Sequence, residues 1–267
     1  MKSLKKLLGL TNYITQQLAE QPQTIDGHIH LFDAKRHIDG TADINVGFID
    51  INLKRLSDYE GNKLYDLYQD YIKNYYNKKD ILLAAGTTAE QVLKIFKRWP
   101  KTIKGFGEFK LYGKLDGGEI DVDFAKLDEV EKVCRYLVKN KLSKPIYIHY
   151  VLLNDKRISK LEKLLSTYWS IPIVLCHCGF SPYDSKRNDE IYQKLVEMSL
   201  EYQNLWLDLS YIATDYFNVN PSKICNLPQN RLIWGSDLSP LSNKNKVQPL
   251  KFNINNTNNI KALFKLK

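Results

Sequence analysis

The sequence has little that would take the chain outside the ordinary class of globular proteins. Only four of its 267 residues are cysteines, and their spacing matches no disulfide framework. The longest uncharged stretch, residues 164–183, contains two prolines and a glycine, whereas a membrane-spanning helix needs about 20 mostly apolar residues. The apolar run at residues 7–10 is shorter than the core of a signal peptide. We therefore expect a cytoplasmic protein without a membrane segment.

Acidic residues are absent from both ends of the sequence. Residues 1–10 contain three lysines and residues 241–267 contain six, and these account for the whole net charge of +9. The rest of the chain is neutral, whereas a nuclease more often has its basic residues around the active site. This distribution disfavours nucleic acid as a partner and favours a small-molecule substrate. The charge distribution is compatible with a homodimer as well as with a monomer.

A nucleotide-binding glycine loop is also missing, because no Gly-x-Gly-x-x-Gly follows an early strand. The sequence instead alternates short apolar runs with longer amphipathic segments. Eight runs have the composition of buried strands: residues 25–31, 44–51, 81–87, 103–111, 145–151, 171–178, 205–211 and 232–238. Five segments between them have apolar residues at helical spacing: residues 56–77, 89–99, 126–141, 156–169 and 189–202.

Strands that alternate with helices indicate an α/β fold with a parallel sheet. Eight such units predict a (β/α)8 TIM barrel that forms a single domain over residues 1–267. Within it we expect an N-terminal helix over residues 1–22 and a C-terminal helix over residues 253–267. A doubly wound open sheet is the alternative fold.

Four of the five histidines lie in the predicted strands. His28 and His30 are in the first strand, and because strand side chains alternate, both face the same side. His149 is in the fifth strand and His177 in the sixth. The carboxyl ends of barrel strands meet at one rim, where buried polar groups need a partner. A divalent metal ion is such a partner, so these histidines predict a metal site.

Two further strands add charged residues to this rim. Asp237 ends the eighth strand, in the sequence Trp-Gly-Ser-Asp at residues 234–237. Glu108 and Lys110 share one face of the fourth strand, where a local ion pair is the alternative interpretation. Cys176 and Cys178 lie on either side of His177, and strand alternation predicts that their thiols point away from it, toward the helices.

These motifs together resemble a known family. The stretch Ile-Asp-Gly-His-Ile-His-Leu-Phe-Asp at residues 25–33, with His149, His177 and the Trp-Gly-Ser-Asp sequence, resembles the metal-dependent amidohydrolase superfamily. The similarity is closest to its amidohydrolase-2 branch, which includes aminocarboxymuconate-semialdehyde decarboxylase and pyrone-dicarboxylate lactonase. The resemblance covers nearly the whole chain. It implies a hydrolase that activates a water on a divalent metal to cleave a C–N, C–O or P–O bond of a small molecule.

The resemblance also implies the metal ligands. His28 and His30 correspond to the paired ligands of the first strand, and His149 corresponds to the ligand of the fifth. Binuclear members place a bridging carboxylated lysine or a glutamate on the fourth strand. Glu108 and Lys110 compete for that role here, so one ion and two ions both remain open. Nitrogen and oxygen ligands suit Zn²⁺ first, with Mn²⁺, Fe²⁺ or Co²⁺ as alternatives.

The proton-transfer groups follow from the same resemblance. His177 corresponds to a histidine that binds a second metal in some members and acts as an acid or base in others. Asp237 corresponds to the aspartate that contacts the metal and carries the proton.

Three other functions stay open on the sequence alone. The first is a TatD-like metal-dependent deoxyribonuclease, in which Glu108 would be the bridging ligand. The second is a decarboxylase or lactonase of the same branch. The third is a non-catalytic barrel that retains the metal site, which the complete ligand set disfavours.

Overall fold

The barrel strands appear in the sheet in the order of the sequence, and all of their pairings are parallel. The computed structural model describes residues 25–32, 42, 44–49, 63–110, 113–115, 118–120, 127–152, 154–181, 185–237, 251 and 254–266. The expected helix over residues 1–22 lies outside this part. The strands are β1 (Ile25–Phe32), β2 (Ile44–Ile49), β3 (Ile81–Ala84), β4 (Ile103–Lys110), β5 (Ile146–His149), β6 (Ile173–Leu175), β7 (Leu205–Asp208) and β8 (Leu232–Ile233). The predicted (β/α)8 barrel is confirmed.

Helices follow most of the strands, as the amphipathic pattern predicts. They are α1 (Lys63–Asn74), α2 (Ala89–Arg98), α3 (Leu127–Lys139), α4 (Asp155–Thr167), α5 (Ser185–Glu201), α6 (Ile212–Val219) and α7 (Asn256–Phe264). Two short antiparallel strands, Gly113–Leu115 and Gly118–Ile120, lie after β4 in a region with no predicted element. No helix in the described part of the chain is long and apolar enough to cross a membrane.

The core forms where the helices cover the outside of the barrel. On α2, Val92, Ile95 and Phe96 are buried, which is the spacing of one helix face. Thr88 begins this helix with a capping box in which Gln91 takes part. Tyr68 of α1 ties the end of β3 in place, because its hydroxyl donates to the Leu83 carbonyl and accepts from the Ala85 amide, both at 2.6 Å.

The barrel closes where β1 meets the segment that follows β8. The Gly27 amide donates to the Trp234 carbonyl at 2.9 Å, and the Asp237 amide donates to the His28 carbonyl at 2.8 Å. The backbones approach closely: a Cβ on Gly235 would lie 2.1 Å from the His28 nitrogen, and one on Gly27 would lie 2.6 Å from the Trp234 oxygen. Both positions therefore require glycine. This closure brings the Trp-Gly-Ser-Asp sequence next to the first histidine.

Two predicted site residues lie just beyond a strand rather than inside one. β6 ends at Leu175, and residues Cys176–Gly179 form a 3₁₀ turn in which His177 and Cys178 have φ of 54° and 56°. β8 ends at Ile233, and Asp237 follows it with φ of 51°. The prediction that both residues lie within strands is therefore wrong. Left-handed backbone ends the strand pattern, so alternation does not govern their side chains.

Candidate metal centre

His28 lies at the carboxyl end of the barrel, which we call the mouth, and is fully buried between two carboxylates. Its Nδ1 is 2.7 Å from Asp208 Oδ2, and its Nε2 is 3.3 Å from Asp237 Oδ1. Burial opposes the charged form of His28. The charge and hydrogen bond of Asp208, with the charges of Asp237 and Glu108, outweigh burial and raise the pKa of His28 to about 10.

Glu108 joins the two other described histidines of the mouth. Its Oε1 is 2.7 Å from His149 Nδ1 and 3.9 Å from His177 Nε2. Each of these three side chains has a donor atom within 4.8 Å of those of the other two. Glu108 and His177 are buried, whereas His149 is partly exposed toward the solvent. A buried carboxylate between two imidazoles is the ligand set expected for a divalent cation.

His177 lies between the other histidines and packs on both. Its ring centroid is 5.3 Å from that of His28, in a stacked arrangement, and 4.7 Å from that of His149. Its Nδ1 is 3.0 Å from Ser210 Oγ and 3.3 Å from the Ser210 carbonyl. Burial lowers the pKa of His177 to about 4 against the attraction of Asp237, and electrostatic interactions with His149 and His28 lower it further. His177 is therefore neutral at pH 7.

Asp237 is positioned by the backbone rather than by a strand. Its amide is bonded to the His28 carbonyl, and the Asp26 carboxylate accepts from the amides of Ser236 at 2.9 Å and His28 at 3.2 Å. The Asp237 side chain is 20% exposed, so it is in contact with both the buried His28 and the solvent of the mouth. A carboxylate in this place can accept a proton from a substrate or a water molecule.

The structure brings together five of the predicted site residues: His28, Glu108, His149, His177 and Asp237. The backbone of His30 lies in β1, two residues beyond His28, and Lys110 pairs in register with His149 across β4 and β5. The side chains of His30 and Lys110 lie outside the described part of the structure. Of the two fourth-strand candidates, Glu108 is therefore the one with described contacts in the site.

The sequence reasoning missed three polar residues of the mouth: Asp26, Asp208 and Ser210. Asp208 ends β7, and an acid at the end of the apolar run Leu-Trp-Leu-Asp was the available signal. Asp26 lies directly within the motif of β1. All three are buried. Asp208 is hydrogen-bonded to His28, Ser210 to His177, and Asp26 to the backbone amide of Ser236.

The predicted orientation of the two cysteines is wrong. The Cys176 sulfur lies within 4.8 Å of donor atoms of His28 and Asp208, and Cys178 Sγ is 3.5 Å from the Asp208 carbonyl. The reason is the 3₁₀ turn, which replaces the strand on which the alternation depended. Burial raises the pKa of Cys178 well above its ordinary value, so its thiol is protonated at pH 7.

A cavity of about 620 Å³ opens beside the mouth, between the start of α5 and α6. Tyr211 contributes to its wall and also packs edge-on against His177, with ring centroids 5.8 Å apart. Tyr216, Asp189 and Asp215 line the cavity as well. Cavities of roughly 300–1,000 Å³ accommodate small molecules, so there is space for a substrate next to the histidines.

The donor atoms fit a divalent metal ion. Zinc lies about 2.0–2.2 Å from nitrogen and oxygen ligands, so two of its ligand atoms lie at most about 4 Å apart. The measured separations of 2.7, 3.3 and 3.9 Å between the imidazole and carboxylate atoms are within this limit.

Comparisons with known proteins find similarity in the fold and no match in the sequence. No family model matches the sequence. No curated protein matches it either. A zinc-bound amidohydrolase from Burkholderia multivorans has 12% sequence identity and a TM-score of 0.51, over 80% of this chain and 84% of that one. A protein from Agrobacterium tumefaciens has 12% identity and a TM-score of 0.56, over 92% and 95% of the two chains.

A third structure gives the same result. A candidate 2-pyrone-4,6-dicarboxylic acid hydrolase from Pseudomonas putida has 11% identity and a TM-score of 0.53, over 92% of this chain and 98% of that one. At these identities the similarity shows the fold alone. The expected resemblance to amidohydrolases is confirmed at that level.

Proposed function

We propose that this chain is a metal-dependent hydrolase of the amidohydrolase type, which acts on a small molecule at the mouth of the barrel. The observation that carries the proposal is the set of carboxylates Glu108, Asp208 and Asp237 in direct contact with buried or half-buried histidines. Buried carboxylates are costly unless positive charge and hydrogen bonds compensate them. In the metal-free protein the charged His28 supplies part of that charge, and a divalent cation would supply more. The neutral His177 would add a ligand without adding charge.

The residues that would hold the metal are His28 through Nε2, His149 through Nδ1, and Asp237. Glu108 and His177 are placed to hold a second ion or to complete the first. His30 stays the predicted second ligand of β1, and its side chain lies outside the described part of the structure. Lys110 remains the alternative for the bridging position. Zinc suits these nitrogen and oxygen donors first, and manganese, iron and cobalt suit them next.

The chain's own groups account for binding and proton transfer. A divalent metal, when bound, lowers the pKa of a water and polarises a carbonyl or phosphoryl oxygen. Asp237 then acts as the general base: its carboxylate takes a proton from the attacking water and returns it to the leaving group. His28 Nε2 and Asp237 Oδ1 lie 3.3 Å apart, so both atoms could hold the same ion. Tyr211 limits access of solvent to His177 on the side of the cavity.

Metal removal and restoration test this function. Protein treated with a chelator and dialysed should lose hydrolysis of a panel of lactones, amides and phosphate esters, and added Zn²⁺, Mn²⁺ or Co²⁺ should restore it. Cleavage of at least one panel member that depends on metal supports the proposal. A metal-loaded protein that releases carbon dioxide from a carboxylated substrate, without hydrolysis, would identify a decarboxylase instead. Activity that survives complete metal removal would contradict the proposal.

A TatD-like deoxyribonuclease is the second candidate, and the position of Glu108 favours it. Glu108 Oε1 lies 2.7 Å from His149 Nδ1 and 3.9 Å from His177 Nε2, so this glutamate could hold metal together with both histidines, as the glutamate of such a nuclease would. A DNA-cleavage assay with Mg²⁺ and Mn²⁺ separates the two functions. Metal-dependent cleavage of DNA, abolished in the Glu108→Gln variant, would support the nuclease over the small-molecule hydrolase.

A further inference from the structure

Asp208 is a fully buried carboxylate that the proposed mechanism does not use. Its Oδ2 lies 2.7 Å from His28 Nδ1 and 2.7 Å from Ser210 Oγ. Its Oδ1 accepts a hydrogen bond of 3.0 Å from the Ser210 backbone amide. An ionised carboxylate can only accept hydrogen bonds, so each of these three groups must donate a hydrogen bond to Asp208.

The hydroxyl of Ser210 links Asp208 to a second histidine, His177, and determines which of its nitrogens carries a proton. A hydroxyl has one proton, and the short bond to Asp208 takes it. Toward His177 Nδ1, at 3.0 Å, the Ser210 oxygen can therefore only accept. The Ser210 carbonyl, at 3.3 Å from the same nitrogen, is also an acceptor. Both contacts require His177 to carry a proton on Nδ1.

We propose that Asp208 is a positioning residue that fixes a proton on Nδ1 of two histidines, His28 directly and His177 through Ser210. Nε2 of each ring is then the nitrogen left for the mouth, where it faces Asp237 in one case and Glu108 in the other. The positions of the protons follow from the hydrogen bonds alone. The consequence that these two nitrogens bind a metal rests on the proposed function.

The Asp208→Asn variant tests the direct contact, because the Ser210 backbone amide can only donate a hydrogen bond. That amide requires an oxygen, so the side-chain NH₂ of the asparagine faces His28 Nδ1 and the Ser210 hydroxyl. His28 must then accept at Nδ1 and carry its proton on Nε2. A proton on the nitrogen that would bind metal should lower zinc affinity by about 10- to 100-fold, the usual effect of losing a partner that orients a metal-binding histidine.

Asp80→Asn is the matched control. Asp80 is also a buried carboxylate, and it accepts from the Asn45 backbone amide at 3.1 Å and the Asn45 side-chain amide at 2.9 Å. It lies before β3, at the opposite end of the barrel. This variant should unfold more easily than wild type and bind zinc with unchanged affinity. Ser210→Ala should weaken zinc binding less than Asp208→Asn, because His177 retains the carbonyl acceptor.

The decisive readout is the NMR spectrum of protein with ¹⁵N-labelled histidine, with signals assigned by His28→Gln and His177→Gln. In zinc-free wild type we expect the His177 proton on Nδ1. In folded Asp208→Asn we expect the His28 proton on Nε2 alone.

A wild-type His177 with its proton on Nε2 would overturn the inference. Zinc binding by Asp208→Asn as tight as that by Asp80→Asn would also overturn it. If wild type binds no zinc, the proposed function fails while the spectrum still decides the proton positions. The wild-type spectrum also decides them if Asp208→Asn does not fold.

Discussion

The two ends of the barrel use buried polar side chains in different ways. At the amino ends of the strands, which we call the floor, the buried side chains of Arg231 and Asn204 bond to backbone carbonyls, and Asp80 accepts from both amides of Asn45. Arg231 donates to the carbonyls of Tyr202, Leu205 and Ser199, and the Asn204 amide reaches three carbonyls between α4 and β6. These contacts give buried donors to backbone carbonyls at the ends of helices and strands, which is a role in stability.

At the mouth, buried side chains bond to one another. His28 pairs with Asp208, His149 pairs with Glu108, and His177 pairs with Ser210. These contacts gather titratable side chains at the mouth and do not serve to pair backbone groups. In (β/α)8 barrels, residues at the floor serve stability and residues at the mouth serve chemistry. The comparison therefore teaches that polar burial alone does not mark a site, whereas contacts among titratable side chains do.

Removal of a mouth histidine should have the largest effect. His28→Ala deletes the imidazole between Asp208 and Asp237, so we expect metal binding to be lost and activity with it. His30→Ala should behave in the same way if His30 is the second ligand of β1. Metal content and turnover of each purified variant are the measurements. Full metal content and activity in either variant would show that its ligand assignment is wrong.

Asp237→Asn should separate chemistry from metal retention. The amide keeps the shape and one oxygen of the side chain but cannot accept the proton. We expect turnover to fall by about 10²–10⁴-fold, the usual contribution of a positioned base, while most of the metal stays bound. Turnover is compared with metal content for the same preparation. Near-normal turnover would place the base elsewhere, with His177 as the next residue to test.

A floor variant should show the opposite pattern. Arg231→Ala removes a buried donor from three carbonyls near the start of β7, and should lower the free energy of unfolding by about 1–3 kcal/mol. Denaturant titration measures this loss. Metal content and turnover per folded molecule should stay at wild-type values. A loss of metal without a loss of stability would remove the distinction between the floor and the mouth.

The smallest effect concerns pH. The pKa of His177 is lowered to about 4 by burial, whereas an unfolded histidine titrates near 6.5. The folded state favours the neutral ring, so its contribution to stability is present above pH 6.5 and is lost as the pH falls toward 4. In metal-free protein, the Tm of wild type should therefore fall more steeply between pH 6.5 and 4 than that of His177→Gln. Parallel curves would contradict the lowered pKa.

Much of the fold can be predicted from the sequence because the described side chains of the barrel strands are buried on both faces. Continuous apolar runs mark the strands, and the helices show one buried face each. The turn at Cys176–Gly179 could not be found in this way. Its first residues continue an apolar run, and the left-handed backbone of His177 and Cys178 has no signal in residue type.

The site could be predicted where residues lie toward the carboxyl ends of neighbouring strands, as Glu108 of β4 and His149 of β5 do. Asp208 and Ser210 could not, because their partners are remote in the sequence: His28 precedes Asp208 by 180 residues. In the sequence, a single aspartate after an apolar run could equally be a helix cap, and its contacts at the mouth are evident only in the folded barrel. Closure itself depends on Gly27 and Gly235, whose close approach only the folded chain shows.

The most direct test of the mouth as a metal centre is elemental analysis of wild-type protein purified without chelator, in parallel with His28→Ala and Arg231→Ala. We expect one or two equivalents of zinc, or of manganese, iron or cobalt, in wild type and in Arg231→Ala, and almost none in His28→Ala. Folded wild-type protein that contains no divalent metal, and takes up none when zinc is added, would contradict a metal centre at the mouth.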